Sequence, residues 1–76
     1  MAKFDWRNIG INVARLRKAR NMTQETLAEK AGLQRETVSR IENGLRCPRT
    51  CTVQKLAAAL QCDPNALYTD FQFPRL

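Results

Sequence analysis

The sequence predicts an all-α fold: one compact domain of five short helices, four or five of them packed around a single core. Apolar residues recur three and four positions apart in successive segments, as they do on the buried face of a helix. Residues that start and stop helices separate those segments. The 76 residues, 43% of them hydrophobic, suit one domain over 1–76, with a thin core at about 6–68 and a tail at 69–76.

The first two helices are predicted from apolar spacing and from the residues at their ends. The first covers 6–20 and is followed by Asn21, a residue that tolerates the left-handed conformation of a helix stop. Thr23 is a good amino-terminal cap for the second helix, over 24–31. The residues predicted to point inward from these helices are Ile9, Val13, Leu16, Leu27, Ala28 and Ala31.

The third helix, over about 35–43, is predicted to have two different faces. Gly32 supplies the positive φ of a tight turn before it. Val38 and Ile41 point toward the core. The opposite side carries Glu36, Ser39, Arg40 and Asn43. Gln34 stands at the cap position, where Ser, Thr, Asp or Asn would cap better, and this hints at another use of its side chain.

Two further helices complete the predicted fold. The fourth begins at Arg49 or Thr50. The fifth begins at Pro64, because Asp63 is a capping residue and proline suits the first helical position, and it extends through residue 67 or 68. The inward positions of the fourth helix are Val53, Leu56, Ala57 and Leu60.

Positive charge is concentrated in the first two thirds of the chain. Residues 1–50 contain eleven Lys/Arg and five Asp/Glu, which account for the whole net charge of +6, whereas residues 51–76 contain two of each. This distribution favours one side that faces a polyanion and a neutral side that is free for packing. Composition alone leaves open the alternative that the domain is simply basic, as many small soluble domains are.

The composition also argues against several classes of protein. Histidine is absent, which excludes His-based catalytic triads and proton shuttles. No cluster of nucleophile, base and orienting group indicates an enzyme, so no catalytic residue is predicted. No apolar run is long enough for a membrane span or a secretory signal peptide. We expect a cytoplasmic protein without a membrane partner.

The three cysteines are Cys47, Cys51 and Cys62, an odd number that suits a reducing compartment. They supply at most three ligands, so a tetrahedral zinc site would need a fourth donor. Cys51 falls in the first turn of the fourth helix, where a thiolate would be stabilised. We expect small apolar fillers rather than a metal site or a redox sensor, and no cofactor.

The stretch from Met22 to Gly44 resembles the Cro/cI-type, lambda-repressor-like helix-turn-helix domain of the XRE family. The matching residues are Thr23-Gln24, Leu27-Ala28, Ala31-Gly32, Val38-Ser39, Ile41-Glu42 and Asn43-Gly44, followed by LAAAL at 56–60. The resemblance covers about 9–67 and is specific, because residue types and spacings agree over consecutive elements. Arg49 and Thr50 depart from the family's small cap and apolar residue, which leaves Arg49 freer to reach DNA.

The resemblance implies that the third helix is a recognition helix in the major groove of DNA. Arg35 or Arg40 would form two hydrogen bonds with guanine, and Gln34 would form hydrogen bonds with adenine. Glu36 would either accept a hydrogen bond from cytosine or hold a neighbouring arginine in position. An ordinary solvated helix face with an Arg/Glu pair is the alternative. The expected base-reading residues are Gln34, Arg35, Glu36, Ser39 and Arg40.

The resemblance also implies contacts with the DNA backbone. In the family, the glutamine that matches Gln24 binds a phosphate and helps to orient a recognition-helix side chain. The expected phosphate contacts are Arg17, Thr23, Gln24, Asn43, Arg46 and Arg49. The alternative for Gln24 is a residue that is merely tolerated in the first turn of its helix. The alternative for Asn43 is a helix terminator. Arg17 and Glu42 match the family's buried or half-buried ion pair between the first and third helices; two unrelated exposed charges are the alternative.

These features predict a sequence-specific transcriptional regulator that binds double-stranded DNA as a homodimer on a palindromic operator. Phage Cro-like regulators, restriction-modification controllers and small host regulators fit the description. A chain without a separate effector domain would act by occupancy, either blocking RNA polymerase or contacting it. The alternative is an antitoxin or other protein-interaction module that uses the same fold to bind a partner toxin.

The neutral tail is the expected site of dimer contact. One recognition helix reads only a few base pairs, so such domains usually pair on two half-sites. The expected dimer contacts are Leu67, Tyr68, Phe71, Phe73 and Leu76. The alternative is a monomer in which Tyr68 and Phe71 fold back over the first helix and Trp6.

Overall fold

A computed structural model describes residues 6–68, and within that range every regular element is a helix. The five helices are α1 (Arg7–Ala19), α2 (Gln24–Ala31), α3 (Arg35–Glu42), α4 (Thr50–Leu60) and α5 (Pro64–Tyr68). The predicted five-helix, all-α fold is confirmed. The longest described helix, α1, has 13 residues, and none of them combines the length and apolar character of a membrane span.

A single apolar core joins all five helices. α2 packs against α3 and α4, while α1 packs against α3, α4 and α5. The buried apolar side chains are Ile9, Val13, Leu27, Ala28, Ala31, Val38, Ile41, Val53, Leu56, Ala57, Leu60 and Leu67. Leu16 is only partly buried and packs against this core. α3 is thereby fixed through its apolar side, and its other side faces outward.

Leu67 belongs to this core and not to a surface for a second chain. Its side chain is 0% exposed, and its carbonyl oxygen accepts a hydrogen bond from Asn12 Nδ2 at 3.0 Å. The expected dimer contact of Leu67 is therefore corrected, because a side chain buried in its own domain cannot contact a partner. Tyr68 is partly buried against the core. The expected contacts Phe71, Phe73 and Leu76 lie outside the described residues.

The first four helices end in the same way. Each is followed by a residue in the left-handed conformation, and the next N–H bonds back to a carbonyl five residues earlier. The left-handed residues are Asn21, Gly32, Gly44 and Gln61. The bonds are Met22 N to Arg17 O, Leu33 N to Ala28 O, Leu45 N to Arg40 O, and Cys62 N to Ala57 O. The predicted stops at Asn21 and Gly32 are confirmed.

Gly10 allows α1 and α3 to touch through their backbones. A β-carbon at Gly10 would overlap the carbonyl oxygen of Ile41 and would lie 3.1 Å from Glu42 Cα. Backbone atoms cannot move aside as a flexible side chain can, so any larger residue must push the two helices apart. The position of the outward face of α3 therefore depends on a glycine in the middle of another helix.

We expect Gly10→Ala to destabilise the domain by about 3 kcal/mol through overpacking, even though alanine favours a helix. Gly32→Ala is the matched control, because φ is +71° there but nothing lies within 4 Å of the added carbon. That change should cost only about 1 kcal/mol. Urea unfolding followed by the fluorescence of Trp6, the single tryptophan, measures both. An equal or larger cost at Gly32 would contradict the proposed close contact.

Candidate nucleic-acid interface

α2 and α3 are joined by a tight turn over residues 32–34. Gly32 adopts φ +71°, and the Leu33 N–H bonds back to Ala28 O at 2.8 Å. Two short helices joined by three or four residues that include glycine define a helix-turn-helix unit. Because Val38 and Ile41 hold the second helix on the core, the unit presents the opposite side of α3 to solvent.

The exposed side of α3 brings the expected base-reading residues together. Gln34, Arg35, Glu36 and Arg40 are exposed, and Ser39 is half-buried. Arg40 Nη2 lies 3.2 Å from Glu36 Oε2, one helical turn away. Gln34 is the amino-terminal cap residue of α3 but makes no side-chain cap hydrogen bond. These side chains offer both hydrogen-bond donors and hydrogen-bond acceptors.

A part-buried polar network connects α1, α2 and α3 behind this surface. Arg17 Nε and Nη2 donate to Glu42 Oε2 and Oε1 at 2.7 and 3.1 Å. Arg17 Nη1 donates to the carbonyl of Met22, at 2.7 Å, in the connection between α1 and α2. Gln24 Nε2 donates to Glu42 Oε1 at 3.0 Å. The side chains of Arg17 and Glu42 are only 11% and 5% exposed, so this is a part-buried ion pair rather than two unrelated exposed charges.

The hydrogen bond from Gln24 to Glu42 determines which atoms of Gln24 can bind an anion. A carboxylate only accepts, so the amide nitrogen of Gln24 must face Glu42. The amide oxygen cannot bind a phosphate, which also only accepts. The second hydrogen on Nε2 and the free N–H groups in the first turn of α2 are the remaining donors.

Two expected phosphate contacts have internal partners in this arrangement. All three guanidinium nitrogens of Arg17 donate within the domain. Thr23 caps α2, since its Oγ1 accepts from the Thr26 N–H at 3.0 Å and donates to Thr26 Oγ1. The predicted cap at Thr23 is confirmed. Both side chains act here as structural groups, and their phosphate contacts remain predictions that the geometry does not favour.

The remaining expected phosphate contacts follow α3. Asn43 is the carboxy-terminal cap residue of α3, and its Nδ2 lies 3.4 Å from Ser39 Oγ. Arg46 and Arg49 are exposed on either side of the buried Pro48. Arg49 is the cap residue of α4 without a side-chain cap bond. The segment between α3 and α4 therefore presents two exposed cations.

Two of the three cysteines do not fill the core as expected, whereas Cys62 packs against it. Cys47 and Cys51 are exposed, which corrects that expectation, because exposed thiols fill no space. Cys62 is partly buried, and desolvation by burial, opposed by Arg20 and assisted by Asp63, raises the pKa of its thiol. In residues 6–68 no three His, Cys, Asp or Glu side chains form a cluster able to hold a metal ion.

Sequence reasoning missed two residues that support the site. Asn12 is 1% exposed and ties α1 to the carbonyl of Leu67. The available signal was a polar residue inside the apolar stripe that includes Ile9 and Val13, because buried amides nearly always have hydrogen-bond partners. Gly10 gave no comparable signal, since its role depends on how closely α3 approaches.

The fold and the site together define a helix-turn-helix protein, with α3 as the second helix of the unit. The chain belongs to the helix-turn-helix family HTH_3, which matches residues 13–67. This confirms the family expected from the resemblance.

Known proteins resemble the chain in sequence and in structure. It is 43% identical over 53 residues to the uncharacterized HTH-type transcriptional regulator RghRB of Bacillus subtilis, covering 68% of this chain but only 38% of that protein. It is 32% identical over 64 residues to the ImmF control region 10 kDa protein of Bacillus phage phi105, covering 84% and 71%. The crystal structure of the restriction-modification controller protein C.AhdI from Aeromonas hydrophila superposes with a TM-score of 0.81 at 38% identity, covering 84% and 97%. The fold is thus shared with a restriction-modification controller protein, and the sequence is similar to that of an HTH-type transcriptional regulator.

Proposed function

We propose that this chain is a sequence-specific transcriptional regulator that binds a palindromic operator as a homodimer. The observation that carries the proposal is the exposed polar side of α3, held on the core directly after the turn at 32–34. The family membership supports DNA binding. The names of RghRB and of the controller C.AhdI support a regulatory role.

In the proposed complex the exposed side of α3 enters the major groove. Amino-terminal residues of a recognition helix reach deepest, which assigns base contacts to Gln34 and Arg35, with Arg40 one turn further along. An arginine can donate two hydrogen bonds to guanine, and a glutamine can both donate to and accept from adenine. Ser39, half-buried, contacts the groove wall or a base edge.

Phosphate contacts flank this helix on both sides. At one end, the first turn of α2 provides free N–H groups and the remaining Nε2 hydrogen of Gln24. At the other end, Asn43, Arg46 and Arg49 are exposed around the loop after α3. Contacts at both ends fix the position of the recognition helix but carry no sequence information directly.

Dimerisation gives the proposed complex enough base contacts to select an operator. Two copies related by a twofold axis place their recognition helices one turn of DNA apart, on the two halves of a palindrome. The pairing surface in this proposal involves Tyr68 and the residues that follow it, since the basic side is occupied by DNA. The proposed surface leaves out Leu67, whose side chain is buried in the core.

We expect Arg40→Ala to weaken binding to the preferred site by about 1–3 kcal/mol and to relax one base pair per half-site. Arg49→Ala should weaken binding to all sequences to a similar degree. Fluorescence anisotropy on the preferred duplex and on single-base variants measures both effects. If Arg49→Ala relaxed one base and Arg40→Ala weakened all sites alike, the assigned DNA-facing side would be wrong.

The proposal as a whole is tested by selection from random duplexes with the purified chain. We expect an enriched palindrome with half-sites one helical turn apart. Sedimentation of the chain at micromolar concentration, beside a chain that stops after Tyr68, tests pairing: the intact chain should be dimeric and the shorter one monomeric. No enrichment would refute sequence-specific binding. A monomeric intact chain that binds single half-sites without cooperativity would refute the dimer.

A further inference from the structure

An acidic side chain lies within the surface that the proposed function turns toward DNA. Glu36 is on the exposed side of α3, and its side chain is 71% exposed. The neighbouring groups on that side are arginine, glutamine and serine. A carboxylate close to phosphates is repelled by them and lowers the affinity for every DNA sequence. In the proposed complex, a contact of Glu36 that favours binding to the correct site would offset this repulsion.

The compensating contact is with Arg40. Glu36 Oε2 accepts a hydrogen bond from Arg40 Nη2 at 3.2 Å, with Glu36 one turn nearer to the amino terminus. This is the favourable order for an ion pair four residues apart on a helix. Both side chains are more than half exposed, so the pair contributes little to the stability of the fold. In this pair the guanidinium of Arg40 is directed toward Glu36.

Restriction of an arginine matters for reading a base. A free arginine side chain has many rotamers, and it must give them up to make two hydrogen bonds to one guanine. A guanidinium that is already held in one direction loses less freedom on the correct base. It also cannot turn easily to a phosphate or to a neighbouring base, which would give affinity without discrimination.

We infer that Glu36 is a positioning residue, whose carboxylate holds the Arg40 guanidinium toward one base pair and so raises specificity while lowering general affinity for DNA. This inference rests on the proposed function. Two roles are open to Glu36: holding a neighbouring arginine, and accepting a hydrogen bond from cytosine. The inference selects the first. Glu36 is thus expected to raise specificity and to lower general affinity. These opposite signs distinguish its role from that of an ordinary phosphate or base contact.

Glu36→Gln is the test variant, because it keeps the size of the side chain and removes the charge. Binding to non-specific duplex should tighten about two- to fivefold and show a steeper dependence on salt. The ratio of specific to non-specific affinity should fall by about tenfold. The base pair that is relaxed should be the same one that Arg40→Ala relaxes, since Glu36 acts through Arg40.

Two further variants serve as controls. Glu29→Gln makes the same charge change at an exposed position in α2, away from the amino-terminal turn of that helix, and should leave base preference unchanged. In an Arg40→Ala background, Glu36→Gln should no longer alter base preference. Thermal unfolding of all variants should stay close to that of the wild type, because Glu29, Glu36 and Arg40 are all exposed.

Selection from random duplexes with each variant gives its base preference. Anisotropy titrations then give the ratio of specific to non-specific affinity. An unchanged base preference and specificity ratio in Glu36→Gln, with a selective wild type, would overturn the inference and leave the proposed function intact. Relaxation at a base pair different from that of Arg40→Ala would also overturn it, since Glu36 would then read a base directly. A wild type that selects no sequence would overturn the proposed function, and this inference with it.

Discussion

Replacing Glu42 by alanine is expected to destabilise the domain by about 3–5 kcal/mol, a large share of the stability of a small domain. The change leaves the guanidinium of Arg17, only 11% exposed, without its carboxylate. It also removes the acceptor of Gln24 Nε2. A buried charge that loses its partner costs far more than an exposed one, because water cannot replace the lost contacts.

Urea unfolding of three variants tests this expectation. Glu36→Ala is the matched control: it also breaks a Glu–Arg pair, but one that is more than half exposed, and should cost about 0.5 kcal/mol or less. The double variant Arg17→Met/Glu42→Leu should recover the part of the loss that comes from the unpaired charge, since an apolar pair carries no charge to desolvate. Gln24 Nε2 and the Met22 carbonyl still lose their partners in that variant. Equal costs for Glu42→Ala and Glu36→Ala would show that the Arg17–Glu42 pair is not buried in solution.

Local chemistry explains why so much of the fold could be predicted. The cap at Thr23, the left-handed stop at Gly32 and the helix start at Pro64 each depend on a few consecutive residues. Asp63 accepts from the Asn65 N–H at 2.9 Å, as a cap before proline should. Apolar spacing then identified the inward side of each helix, because that pattern repeats within single elements.

Contacts between distant parts of the chain could not be predicted in the same way. The bond from Asn12 to Leu67 joins residues 55 positions apart, and the contact at Gly10 depends on the separation of two helices. Leu67 was assigned to a dimer surface because composition shows that the tail is apolar but not which side chain turns inward. The Arg17–Glu42 pair was expected from the family resemblance alone, since spacing does not reveal ion pairs across 25 residues.

The candidate site was predictable to the extent that it lies on one helix. Spacing alone placed Glu36 and Arg40 on the same side of α3, and the structure adds their 3.2 Å contact. The orientation of Gln24 was not predictable, because it is set by a carboxylate on another helix. Exposure of Cys47 and Cys51 was missed for a related reason: their surroundings depend on the path of the loop after α3.

Salt is expected to have the largest effect on DNA affinity. A dimer that neutralises about eight phosphates should show a slope near −7 for log K against log salt, so raising salt from about 50 to 200 mM would weaken binding by about 10⁴-fold. The physical reason is the release of counterions from DNA when exposed cations such as Arg46 and Arg49 replace them.

Paired charge deletions locate the source of this salt dependence. Arg49→Ala removes one proposed phosphate contact from each protomer and should reduce the slope by about two in the dimer. Lys55→Ala is the matched control, because Lys55 is an exposed cation on α4, outside the proposed contact set. Anisotropy titrations at several salt concentrations give each slope. An equal reduction of the slope for both variants would mean that net charge alone attracts DNA. A reduced slope in Arg49→Ala but not in Lys55→Ala would mean that the loop after α3 lies against the phosphates.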